Sequence, residues 1–179
     1  MKHLNPDTLR VGFDIGRVLI SNAVTKGDTS FLGGSDDNAM KTPPMPGAFD
    51  VVRTVTEALE GRTWLISKCG PRIQQRSRKW LEHHRFFERT GMAPDHLEFC
   101  RQRWEKAPIC QRLGIDVFVD DRPDIHGHLA GIVPVRVLYG PQRGGPPPGV
   151  LTARDWKEVA DIVLPLVTRP AGSERAHGR

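Results

Sequence analysis

Three apolar runs in this chain each stop at polar residues, and that pattern limits its folds more than any other feature. Val11–Gly12–Phe13 ends at Asp14, Trp64–Leu65–Ile66 at Ser67, and Val117–Phe118–Val119 at the pair Asp120–Asp121. A short, unbroken apolar run bounded by polar or turn residues reads as a strand buried on both faces. The carboxyl ends of the strands in an open parallel sheet share one edge, where ligands bind. Asp14, Ser67 and Asp121, distant in sequence, are therefore expected at one rim. Lys106, between the second and third runs, is expected to join them.

The segments between these runs alternate with them. Pro46–Gly47 opens a predicted helix over 48–60, with Phe49, Val52, Val55 and Leu59 on one face, and Gly61 closes it. Pro71 suits the first turn of a helix over 72–84 that buries Ile73, Trp80 and Leu81. Its other face, Arg72, Arg76, Arg78 and Lys79, reads as a solvated basic surface whose near end, with Lys68, reaches a substrate. Leu97–Cys100 reads as a third strand. Lys106–Leu113 is a predicted helix that stops at Gly114. Pro123 opens another, ending near Gly131, and Pro134–Leu138 is a strand. The Pro- and Gly-rich stretch 139–149 reads as loop, and 153–167 as the last helix. Alternating strands and helices predict an α/β fold, a doubly wound, mainly parallel five-stranded sheet with helices on both faces. The expected organisation is one domain over 1–168, with 21–46 as a mobile flap or minimal cap and 169–179 as a disordered tail.

Composition narrows the setting. The 179 residues, 38% of them hydrophobic and 26% charged, suit an ordinary globular domain. No apolar run approaches the roughly 20 residues that cross a bilayer, and residues 1–10 lack a signal-peptide core, so a cytoplasmic protein is expected. Three cysteines, an odd number without a Cys-x-x-Cys pair, argue against a disulfide scaffold and a zinc site. The net charge of +5 suits anionic substrates without forming the dense stripe of a dedicated nucleic-acid binder.

The order Asp14, Ser67, Lys106, Asp120–Asp121 resembles the haloacid dehalogenase-like (HAD) superfamily over roughly residues 10 to 140. Strands in that family end in a nucleophilic Asp, a Ser or Thr, a Lys or Arg, and an acidic pair. The resemblance implies a Rossmannoid sheet of order 5-4-1-2-3, Mg²⁺ as cofactor, and hydrolysis of a phosphate ester through an aspartyl-phosphate on Asp14. It implies metal ligation by Asp14, Asp121 and the backbone carbonyl of Gly16. Ser67 would donate to a phosphoryl oxygen, and Lys106 would hold both Asp14 and the phosphate. Asp120 would orient Lys106 or a metal-bound water. Backbone N–H groups of Ile15, Gly16 and Arg17 are expected to cradle phosphate. The run Asp120–Asp121–Arg122–Pro123–Asp124 closely resembles the last motif of 5'(3')-deoxyribonucleotidases in the same superfamily.

The chain departs from the family at Gly16, where its phosphatases mostly carry a second Asp as general acid/base. Sugar-1-phosphate phosphatases resemble it in having Gly there. The departure favours good leaving groups: acyl, anomeric or aryl phosphates. Asp28, Asp36 or Asp37 in the flap are candidate substitutes for the missing acid. The expected substrate is a small phosphorylated metabolite or nucleotide rather than a nucleic-acid end, and a homo-oligomer is compatible with the open site. Two rival readings remain. One is a phosphate- or partner-binding module that has lost turnover. The other is a dehalogenase, against which the acidic pair speaks.

Overall fold

The computed structural model describes residues 4–21 and 31–168. Its strands are β1 (Val11–Phe13), β2 (Thr63–Lys68), β3 (Leu97–Cys100), β4 (Val117–Asp120), β5 (Val135–Tyr139) and β6 (Leu151–Ala153). They form one sheet in the order β3-β2-β1-β4-β5-β6, parallel throughout. The five expected strands take their expected order.

The sixth strand is a correction. Residues 151–153, between the expected loop and the first residue of the expected last helix, pair instead with β5, Val137 opposite Leu151 and Tyr139 opposite Ala153. Of its three side chains only Ala153 is buried, so no apolar run announces an edge strand whose place is set by backbone pairing. The last helix starts later, at Trp156, because Asp155 caps it, its Oδ1 accepting from the Glu158 amide at 2.9 Å.

The helices are α1 (Asp36–Met40), α2 (Ala48–Ala58), α3 (Pro71–His83), α4 (Phe86–Thr90), α5 (Lys106–Leu113), α6 (Pro123–His128) and α7 (Trp156–Val167). Alternation along the strands divides the core between the two faces of the sheet. Val11, Phe13, Leu65, Val117 and Val119 pack with α2, α3, α4 and α7 through Phe49, Val52, Trp80, Phe86 and Trp156. Trp64, Ile66 and Phe118 pack with α5 and α6 through Cys110, Ile125 and Leu129. Gly12 is the counterpart of Phe118: a Cβ on Gly12 would lie 2.6 Å from Phe118 Cδ2. No helix among the described residues is long and apolar enough to cross a membrane.

Two indoles fix the segments that follow β1. Trp156 Nε1 donates to the Val18 carbonyl and Trp80 Nε1 to the Thr42 carbonyl, each at 2.8 Å. Residues 31–46 of the expected flap hold the short helix α1 and bridge Pro44 to Ile20. Residues 22–30 of the flap and the tail 169–179 lie outside the described residues.

Candidate active site

The strand register brings the acids together. Phe13 pairs with Val119, so Asp14 stands level with Asp120, and the Asp14 amide donates to the Val119 carbonyl at 2.9 Å. Lys106 enters from the first turn of α5. A single 3-10 turn, Arg103–Glu105, sets that entry: Glu105 Oε2 turns back to accept from the amides of Arg101 and Gln102 at 2.7 and 2.8 Å. Lys106 is 1% exposed. Its Nζ lies 2.9 Å from Asp14 Oδ1 and 2.7 Å from Asp120 Oδ2, over the Phe118 ring. Carboxylate oxygens of Asp14, Asp120 and Asp121 lie within 4.8 Å of one another.

One buried ammonium faces three carboxylates, and the electrostatics follow. Burial alone would lower the Lys106 pKa, but Asp120 and Asp14 outweigh it and hold the ammonium charged. Burial pushes the Asp120 carboxyl up, against the pull of Lys106. Burial, then the Asp14 charge, pushes Asp121 up to about 6. Arg17, 60% exposed, sits 3.8 Å from Asp121 and screens it weakly. Asp120 has both oxygens engaged, Oδ2 by Lys106 and Oδ1 by the Arg122 amide at 2.9 Å. Asp14 Oδ1 is close to the ammonium but off the direction of a hydrogen bond, and it has no hydrogen-bond partner. Excess negative charge on oxygen donors, with an orphaned buried carboxylate oxygen among them, fits a small hard cation such as Mg²⁺.

No family model and no curated protein matches the chain. Solved structures do resemble it. A haloacid dehalogenase-like family hydrolase from Xanthomonas campestris superposes with a TM-score of 0.59 at 11% identity, over 88% of this chain and 95% of that one. A haloacid dehalogenase-like hydrolase from Burkholderia xenovorans gives 0.51 at 14% identity, over 71% of this chain and 61% of that one. A HAD family hydrolase from Deinococcus radiodurans, with bound phosphate and sodium, gives 0.50 at 15% identity, over 93% and 100%. The fold is the haloacid dehalogenase-like fold.

At the carboxyl rim of this HAD-like sheet lies a cavity of about 590 Å³, lined by Asp14, Gly16, Arg17, Ser67, Lys68, Lys106, Asp120 and Asp121. The Ile15 side chain is buried in the core, and its carbonyl accepts from the amides of Val18, Leu19 and Ile20. Its own amide and that of Gly16, two of the three expected phosphate donors, donate to no described residue. The cavity also takes Phe31 and Leu32 from the flap, and Arg103 and Arg122. Sequence reasoning missed all four. A Trp beside Arg103 and an Arg inside the acidic motif were the available signals.

The basic face of α3 is the other correction. Arg76 is 4% exposed, not solvated, and donates to the carbonyls of Phe31, Gly33 and Gly34 and to Asp36 Oδ1. Lys79 reaches Asp36 Oδ2 at 2.9 Å, and Arg72 the Leu32 carbonyl at 3.0 Å. These side chains clamp the flap rather than contact the cavity. Asp36 is therefore engaged in an ion pair away from the cavity, and Asp37 is exposed without lining it; neither replaces the acid absent at Gly16. Asp28 lies outside the described residues. Burial pushes the Cys69 thiol, at the cavity wall, up to about 11, which favours the protonated thiol over the thiolate at neutral pH.

Proposed function

We propose that this chain is a member of the HAD superfamily that hydrolyses a phosphate monoester with Asp14 as nucleophile and a divalent cation, Mg²⁺, as cofactor. One observation carries the reading: Lys106 Nζ sits 2.9 Å from Asp14 and 2.7 Å from Asp120, with Asp121 completing an oxygen cluster within 4.8 Å. Asp14, Asp121 and the Gly16 carbonyl would hold the cation, which when bound neutralises phosphoryl charge and the repulsion between the acids.

Asp14 attacks phosphorus in line, the bond to the ester oxygen breaks, and the resulting aspartyl-phosphate is then hydrolysed by water. Lys106, held charged by its two carboxylates, aims Asp14 and meets the negative charge that spreads over the transferred group. The Ser67 hydroxyl and the amides of Ile15 and Gly16 donate to phosphoryl oxygens. Arg17 and Lys68 attract the anion at the rim. With glycine at 16, the leaving oxygen departs with little help, so acyl, anomeric and aryl phosphates are the favoured substrates, as small metabolites or nucleotides.

A second reading has support of its own. Among the described residues that line the cavity, no carboxylate remains beyond Asp14, Asp120 and Asp121 to serve as proton donor. A phosphate-binding module without turnover would look the same. Phosphate release from an aryl phosphate, measured with and without Mg²⁺ for the wild type and Asp14→Asn, separates the two. The phosphatase reading expects Mg²⁺-dependent turnover that Asp14→Asn abolishes. Equal inertness of both proteins, with phosphate still raising the melting temperature, favours the binding module. Chloride release insensitive to chelator would instead indicate a dehalogenase.

A further inference from the structure

Resting on the phosphatase reading of the inner site, we propose that Arg103 and Arg122 form a second anion subsite in the same cavity. It takes a phosphate or carboxylate on the part of the substrate that is not transferred. Arg103 comes from the 3-10 turn before α5 and Arg122 from the turn between β4 and α6, and both line the cavity that holds Asp14. One carboxylate holds both. Asp124 Oδ2 accepts from Arg103 Nη1 and Asp124 Oδ1 from Arg122 Nε, each at 3.1 Å. Asp124 does not itself line the cavity. It braces the two guanidinium groups from behind.

Hydrogen bonding leaves donors over there, although the Asp121 charge also acts on Arg122. Two guanidinium groups share one carboxylate, and their remaining N–H groups donate to no described residue. The other hydrogen bonds of Arg122 are made by its backbone, whose amide donates to Asp120 Oδ1 and whose carbonyl accepts from the His126 amide. The transferred phosphoryl group does not account for this surplus, because it already has Lys106, Ser67 and a cation beside Asp14. The two regions also differ in depth: Lys106 is wholly buried, whereas the Arg103 and Arg122 side chains are 43% and 41% exposed, toward the mouth. A cavity of about 590 Å³ has room for a whole small ligand rather than one phosphoryl group. Planar guanidinium forks match the paired oxygens of a phosphate or carboxylate. A surface ion pair alone contributes little to stability and requires one cation per anion, not two.

Calorimetric titration of the full chain, with Mg²⁺ in large excess over each probe, tests the subsite without turnover. The probes are orthophosphate, methylenediphosphonate and phosphonoacetate. At least one two-headed probe is expected to bind about tenfold tighter than orthophosphate. A gain for methylenediphosphonate alone identifies a second phosphate, and a gain for phosphonoacetate alone a carboxylate. Arg103→Gln should erase the gain and leave orthophosphate affinity within about twofold, while Arg103→Lys, charged but without the planar fork, restores part of it. Orthophosphate binding with no gain for either probe overturns the subsite alone, as does Arg103→Gln weakening all three ligands equally. If orthophosphate and both probes fail to bind, the inner-site reading falls and the subsite with it.

Discussion

At position 16 the chain carries glycine where a carboxylate would assist the leaving group, and the space around it is open. A Cβ there meets no atom within 4 Å, and the backbone is not left-handed. Gly16→Asp should therefore fold normally and speed release of phosphate from an alkyl ester, a poor leaving group, by about 10²-fold or more. An unchanged rate would show that this position does not face the leaving oxygen. Asp121 makes a second test. In the cation-free protein its carboxyl is raised to about 6, and coordination needs the ionised form. Mg²⁺ affinity should thus be full above that pH and fall by roughly tenfold per unit below it. Titrations showing no change between pH 7 and 5 would contradict it.

His126 makes the third. Burial pushes it down to about 4 from 6.5, and its Nε2 donates to the Asp120 carbonyl. Between those values the unfolded chain takes up a proton that the folded chain refuses, so stability is full above about 6.5 and declines as pH falls toward 4. The shift corresponds to about 3 kcal/mol. Melting curves of His126→Gln should lose less stability than the wild type across that window, by about that amount.

Among the elements, the flap and β1 depend on single contacts. Arg76 holds the Phe31–Asp36 segment through three backbone carbonyls and one half-exposed carboxylate. Arg76→Met keeps the buried stem and removes the charge. It should cost about 2–3 kcal/mol and accelerate amide exchange in α1, because charged hydrogen bonds to three backbone carbonyls are lost. Unchanged exchange in α1 would show that the clamp is incidental. In β1, Gly12→Ala drives a methyl against the Phe118 ring, which β4 and α5 pin in place. About 1–3 kcal/mol should be lost, read from the urea midpoint. Both effects elude sequence reading. An arginine on a helix looks the same whether it meets water or a strap, and a glycine does not announce the ring that requires it.

Across the whole molecule, the sequence by itself determined where the central strands run and where they stop. Strands buried on both faces must be apolar throughout, so the polar residues at their ends stand out, and Asp14, Ser67 and Asp120–Asp121 were legible as one rim. The tertiary structure decided what lies between those ends. Lys106 has no local mark that separates it from a solvated lysine; only the crossing of α5 over Phe118 carries it between Asp14 and Asp120. The sixth strand, the clamp on the flap and the arginines braced by Asp124 arise the same way. Burial acts along a strand and so leaves a local pattern of residue types. Pairing between distant side chains is a matter of distance in space, and it leaves no such pattern in the order of the residues.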